Sequence, residues 1–192
     1  MNEKSWVHEL VPRLGKELKR LDSPEIKIAV NDGSKLAYSC VIHEYDKDGK
    51  NDPASSQYET DLLICDRFSD ERWVPRVVVE CKIGGNVTTH DALTYSSKAA
   101  THKQVHPYLR YGFLAGERKH YAIPVRLVKH GAHFDFMATW CNAEPTKTEW
   151  KEFCALVKDE INASRILQEL LKTNRSSART KYTVLHRPLV LR

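Results

Sequence analysis

The chain has 192 residues and a mass of 22.1 kDa, room for one domain with a substantial core but too little for two full ones, and its 41% hydrophobic and 29% charged residues exclude a disordered chain. No apolar run approaches the roughly 20 residues that span a bilayer, the first residues lack a signal peptide's apolar centre, and five cysteines without a CxxC pair offer neither a disulfide framework nor a zinc knuckle, so a cytoplasmic protein without a membrane partner is expected. The formal net charge of +5 permits a polyanionic partner without requiring one, and it is unevenly placed: from residue 161 onward seven Lys or Arg (165, 172, 175, 179, 181, 187, 192) face a single acid, Glu169.

In chain order, Trp6, Val7, Leu10, Val11, Leu14, Leu18 and Leu21 recur at intervals of three and four, which predicts a helix with one buried stripe, bent at Pro12 or begun after Ser5. Ile26 to Val30 reads as a strand that turns at Asn31, Asp32 and Gly33 into a second strand from Leu36 to about Tyr45. Residues 46 to 57 are polar and turn-rich, a loop. Tyr58 to Phe68 and Val74 to Ile83 form a hairpin around Ser69 to Arg72. Asp91 caps a helix running to Val105 and stopped by Pro107. Strands are predicted at Tyr111 to Ala115, Tyr121 to Val128 and His133 to Trp140, the last two as a hairpin about His130 and Gly131. A capping box from Thr146 to Glu149 opens a final helix through Leu171 that Asn162 and Ser164 could divide. The expected architecture is an α/β (α+β) mixed sheet flanked by helices, a single domain over 1–174, followed by a basic tail at 175–192.

Three charges stand inside apolar strand sequence: Asp61 before Leu62, Leu63 and Ile64, and Glu80 and Lys82 after Val77, Val78 and Val79. Desolvating such groups costs several kcal/mol unless they are paired or bind an ion. Strand alternation places Glu80 and Lys82 on one face. If the hairpin folds symmetrically about its turn, Asp61 lies opposite Glu80, with Cα atoms about 4.5 to 5.5 Å apart. Facing carboxylates repel, which raises one pKa or calls for a cation. Hard oxygen ligands suit Mg²⁺, with Mn²⁺ as a substitute, and the Cys81 backbone carbonyl is a further candidate ligand. Lys82 would orient an attacking water or stabilise charge on a phosphate, as a metal-assisted phosphodiesterase requires.

Asp61, followed on the next strand by Glu80, Cys81 and Lys82 and then by a helix and a strand, resembles the PD-(D/E)XK nucleases, with Thr60 where the motif's name has proline. The resemblance implies a restriction-endonuclease-like αβββαβ core over residues 5 to 115, here with an added C-terminal hairpin and helix. It implies metal ligation by Asp61 and Glu80, catalytic assistance by Lys82, Mg²⁺ as cofactor and DNA as substrate. Several family members place a first-helix Glu near the metal, for which Glu9 is the candidate here. The family also places a Lys or Gln on the following helix, where Lys98 competes with Gln104. The expected activity is that of a type II-like restriction or defence endonuclease, acting as a homodimer. The alternative is a non-cleaving nucleic-acid-binding subunit of the same fold that works with a partner protein.

Lys98, His102, Lys103, His106 and Arg110 form a row that could touch phosphates, and Arg175, Arg179 and Lys181 of the tail could add to it. Competing readings are plainer. The triplet could be a structural network in which Lys82 pairs with Glu80 and Asp61 accepts backbone hydrogen bonds. Asp66, a rival for Asp61, would face Pro75 near the turn and be exposed. The acids from Glu44 to Asp52 resemble a calcium loop, but Ser55 stands where the bidentate Glu belongs, which favours a solvated turn.

Overall fold

The computed structural model describes residues 2–48, 51–118 and 122–173; the tail at 175–192, with Arg175, Arg179 and Lys181, lies outside the described residues. Helix α1 (Glu3–Leu18) is followed by strands β1 (Ile26–Tyr45), β2 (Asn51–Phe68) and β3 (Trp73–Ile83), helix α2 (Thr89–Val105), strand β4 (Arg110–Gly116), helix α3 (Val125–His130), strand β5 (Phe136–Thr139) and helix α4 (Lys147–Thr173). The strands form one mixed sheet in the order β1-β2-β3-β4-β5. The first three are antiparallel, while β4 and β5 run parallel to β3.

Strand alternation splits the core in two. Leu62, Ile64, Val77, Val79 and Cys81 pack on one face with the α1 stripe (Trp6, Val7, Leu10, Leu14, Leu18) and with Phe153, Val157 and Ile161 of α4. Leu63, Cys65, Val78, Tyr111 and Phe113 pack on the other with Ala92 and Ala99 of α2 and Leu127 of α3. At Gly116 a Cβ would come 2.7 Å from the Trp6 ring, so only a glycine lets the start of α1 sit against the end of β4. Among the described residues no helix is long and apolar enough to cross a membrane. All five cysteines are free, and Cys65, Cys81 and Cys154 are buried as packing groups. Burial pushes the Cys65 thiol up to about 12, which removes it as a nucleophile.

Several sequence expectations are corrected. Residues 26 to 45 form one strand, not two: Gly33, at φ +59°, passes between the Asp32–Leu62 and Ser34–Thr60 pairs without turning the chain. Residues 51 to 57, predicted as loop, extend β2 opposite the far end of β1, because two strands paired over such a length need no apolar face beneath every residue. Of the predicted strand at 121 to 128, residue 121 lies outside the described residues, and from Val125 the chain is instead helix α3, with Pro124 as N-cap and only Leu127 buried. Its β-branched residues suggested a strand, but they lie exposed at Val125 and Val128. The anticipated C-terminal hairpin is therefore absent among the described residues, and β5 joins β4 in parallel. Helix α1 begins at Glu3 and runs through Pro12, whose ring faces solvent. The final helix opens on the anticipated capping box, with Thr146 N donating to Glu149 Oε2 at 2.6 Å, and continues unbroken past Asn162 and Ser164.

Candidate active site

The β2–β3 ladder pairs Leu62 with Val79, Leu63 with Val78 and Ile64 with Val77, the register that symmetry about the turn predicts. One step further along the same register brings Asp61 across from Glu80. Leu63 and Val78 belong to the α2 face, so Asp61, Glu80 and Lys82 share that face by alternation. Asp61 Oδ2 accepts a 2.8 Å hydrogen bond from Cys81 N. A strand residue's N–H and C=O point toward the same neighbour, which directs the Cys81 carbonyl to the Asp61 side as well.

Glu80 is almost wholly enclosed, with 1% of its side chain exposed, and Lys98 Nζ of α2 lies 2.8 Å from Oε1. The Tyr111 hydroxyl of β4 donates to that same oxygen at 2.5 Å. Oε2 is buried and has no hydrogen-bond partner. Burial pushes the Glu80 carboxyl from its ordinary 4.5 up to about 7; Lys98 pulls it back, and the Asp61 charge adds to the rise. Burial, reinforced by Glu80, also holds the Tyr111 phenol protonated and therefore a donor.

Lys82 Nζ is 3.8 Å from Asp91 Oδ1. The residue that caps α2 is Thr88 rather than Asp91, and Asp91 completes a capping box by accepting from Thr88 N at 2.8 Å. Partial burial works against its charge, but the Thr88 hydrogen bonds and Lys82 hold the Asp91 carboxyl below the usual range. Asp91 thus ties Lys82 to the start of α2.

The first-helix acid at the site is Glu3. Burial and the Asp61 charge raise its pKa, while Lys82 and a hydrogen bond with the Ile83 backbone lower it. Glu9, the expected residue, is exposed on the wall of a cleft of about 550 Å³ that Glu3, Asp32, Glu59 and Asp61 also line. At about 100° per residue, Glu3 stands on the centre of the stripe formed by Trp6, Val7 and Leu10, and Glu9 well off it. That spacing is present in the sequence. Tyr95 is a further residue that the sequence pattern does not single out: its ring lies beside Phe113 and Lys98, and burial, reinforced by the Asp61, Glu80 and Glu3 charges, raises its phenol pKa.

The expected phosphate row turns inward instead. His102 is fully buried, and burial pushes it down to about 4, so it is neutral. Lys103 Nζ lies 2.7 Å from Asp135 Oδ2 and donates to the His133 carbonyl. Arg110 is 4% exposed and pairs with Asp135 and Glu160. Lys98 donates to the Glu59 carbonyl in addition to holding Glu80. On α2, His102 is among the residues packed on the sheet, Lys98 reaches Glu80 and the Glu59 carbonyl, and Lys103 reaches Asp135; Arg110, the first residue of β4, ties that strand to Asp135 and to Glu160 of α4.

Asp66 is also corrected. Pro75 cannot donate to the ladder, and a bulge there pairs Cys65 with Pro75 and Asp66 with Val74, leaving Arg76 as the extra residue. Asp66 is fully buried, with Arg76 Nε at 2.7 Å and Arg165 Nη2 at 2.7 Å.

Among the described residues there is no group of three or more His, Cys, Asp or Glu arranged to hold a metal. The donors that fit a hard divalent cation are Asp61, the unpartnered Oε2 of Glu80 and the Cys81 carbonyl. In comparison with known proteins, the chain matches no protein-family model and no curated sequence.

Proposed function

We propose that this chain is a Mg²⁺-dependent DNA endonuclease with a restriction-endonuclease-like fold, in which Asp61 and Glu80 hold the cation and Lys82 stands beside the scissile phosphate. Its support rests above all on the buried, unpartnered Oε2 of Glu80 on the same face as Asp61. A carboxylate oxygen hidden from water without a partner is costly, and a cation relieves the cost. The order α1-β1-β2-β3-α2-β4 agrees with the core that the motif implies.

Within this reading Tyr111 and Lys98 fix Oε1 of Glu80 and leave Oε2 for the ligand. Cys81 N fixes Asp61. Lys82, steadied by Asp91, orients a water or stabilises charge on the phosphate oxygens. A bound divalent cation would neutralise the phosphate and lower the pKa of the attacking water. Two copies related by a twofold axis would present one site to each DNA strand, so a homodimeric type II-like restriction or defence enzyme is the form we favour; Mn²⁺ would substitute for Mg²⁺.

A second reading, a non-cleaving nucleic-acid-binding subunit, has its own support. Lys98 already compensates Glu80 from within the protein, and Asp61 already has a backbone partner. The two separate on incubation of plasmid and genomic DNA with Mg²⁺, Mn²⁺ or Ca²⁺, using the wild type, Asp61→Ala and Lys82→Ala. Cleavage that requires Mg²⁺ or Mn²⁺ and is lost in both variants is the expected result. Unchanged cleavage in the variants would discard the site, and binding without cleavage of plain, modified and branched DNA alike would favour the second reading.

A further inference from the structure

The segment between β4 and β5 carries the positive charge that the acidic centre lacks. Residues 117–135 contain Arg118, Lys119, Arg126 and Lys129 against two acids, Glu117 and Asp135, the second of which is taken up by Lys103 and Arg110. Two of these cations reach the loop that follows Lys82: Arg118 Nη1 donates to the Gly85 carbonyl at 3.1 Å, and Arg126 Nη1 to the Val87 carbonyl at 3.3 Å. Their partners are neutral. By contrast Arg13, Arg72, Arg76, Arg110 and Arg165 each sit on a carboxylate. Among the described residues neither Arg118 nor Arg126 has an ion-pair partner, so their charge stays available to an anion from outside. The loop beneath them is open at Gly85, while at Gly84 the Glu117 carboxylate lies close, 3.3 Å from where a Cβ would stand. Gly84 and Gly85 both adopt positive φ (68° and 66°), which favours glycine, and a Cβ at Gly85 would meet nothing within 4 Å. Backbone and two guanidiniums thus form one rim, starting two residues after Lys82.

We propose that Arg118 and Arg126, braced on the 84–87 loop, are a phosphate clamp that holds the DNA backbone beside the scissile bond; this rests on the nuclease reading and supplies its substrate contacts. A guanidinium can donate through one nitrogen to a carbonyl and still offer its remaining N–H groups to a phosphate. The clamp would also explain how an acidic site accepts a polyanion, with attraction supplied from the adjacent rim.

The test is the affinity for a labelled random-sequence DNA duplex, by fluorescence anisotropy in Ca²⁺ across a range of salt concentrations, with plasmid cleavage in Mg²⁺ measured alongside. Arg118→Gln/Arg126→Gln should weaken binding about tenfold or more and reduce the salt slope by about two, one for each phosphate that is no longer neutralised. Arg126→Gln alone, at an exposed position that folding tolerates, should reduce the slope by about one. Lys19→Gln/Arg20→Gln, at the other end of α1 from Glu3, should leave it unchanged. If the wild type binds and cleaves DNA while both arginine variants keep its affinity and slope, the clamp is wrong and the nuclease reading stands. If the wild type neither binds nor cleaves any DNA, both fall.

Discussion

Asp61 and Asp66 lie five residues apart on β2, and alternation sends them to opposite faces of the sheet. On the α4 face, Asp66 is enclosed and complete: Arg76 and Arg165 together occupy both of its oxygens. On the α2 face, the Glu80 beside Asp61 is just as enclosed and incomplete, with two donors on one oxygen and none on the other. A buried carboxylate whose forks are filled is a structural pin, since bidentate guanidinium contacts repay its desolvation. One left half-filled beside a second carboxylate stores unfavourable energy that a bound cation can release. Burial is alike at the two carboxylates, and the count of satisfied oxygens is what differs between them.

The contrast breaks if the two centres respond alike to substitution. The largest expected effect is a crossing one. Asp66→Asn should cost about 3 kcal/mol of stability, because it strands two guanidiniums, one of them deeply buried. Glu80→Gln should cost less than about 1 kcal/mol below pH 4.5, since an amide oxygen can still accept from Tyr111 and Lys98, and nothing near neutral pH, yet should lower cleavage about a thousandfold. Denaturant unfolding and plasmid cleavage measured on both variants check this, and equal stability losses would erase the distinction.

Next in size is a pH effect on the metal-free protein. Glu80 is raised on folding from 4.5 to about 7, so between those values the folded state holds a proton that the unfolded state has released. The Glu80 contribution to stability should therefore fall as pH rises from about 4.5 to about 7 and stay level above. Below 4.5 both states are protonated and the contribution is constant. Unfolding midpoints of wild type and Glu80→Gln, compared across this window in EDTA, should diverge in favour of the variant as pH increases. The smallest effect concerns the first helix. Glu3→Gln should reduce cleavage about tenfold and Glu9→Gln by less than about twofold, because Glu3 is the half-buried acid that interacts with Asp61 and Lys82 while Glu9 is exposed on the cleft wall. Equal losses would return Glu9 to the site.

Much of the centre is legible in the residues. Charges inside valine-rich strand sequence are too expensive to be incidental, and the constant-sum register of a hairpin needs only a turn to find Asp61 opposite Glu80. Glu3 is legible as well, through its spacing from Trp6, Val7 and Leu10. Arg76 is not: a one-residue bulge at Pro75 shifts the register just where Asp66 pairs, and local pattern carries no mark of which residue will be the extra one. The α2 row fails for another reason. Lys103 and Arg110 read as surface cations because the carboxylates around them, Asp135 and Glu160, come from β5's approach and from α4, far along the chain.

By itself, then, the sequence determined the periods of α1, α2 and α4, the hairpin register from Leu62 to Val79 and the carboxylate pair at its end, all of them consequences of neighbours close along the chain. Tertiary structure alone decided which charges are completed. Tyr111 and Lys98 meet on one oxygen of Glu80, Arg165 reaches Asp66 across 99 residues, and Arg118 leans on Gly85. Packing the helices on the sheet fixes those encounters, and a charge left unfilled can be recognised only once every possible partner has been placed.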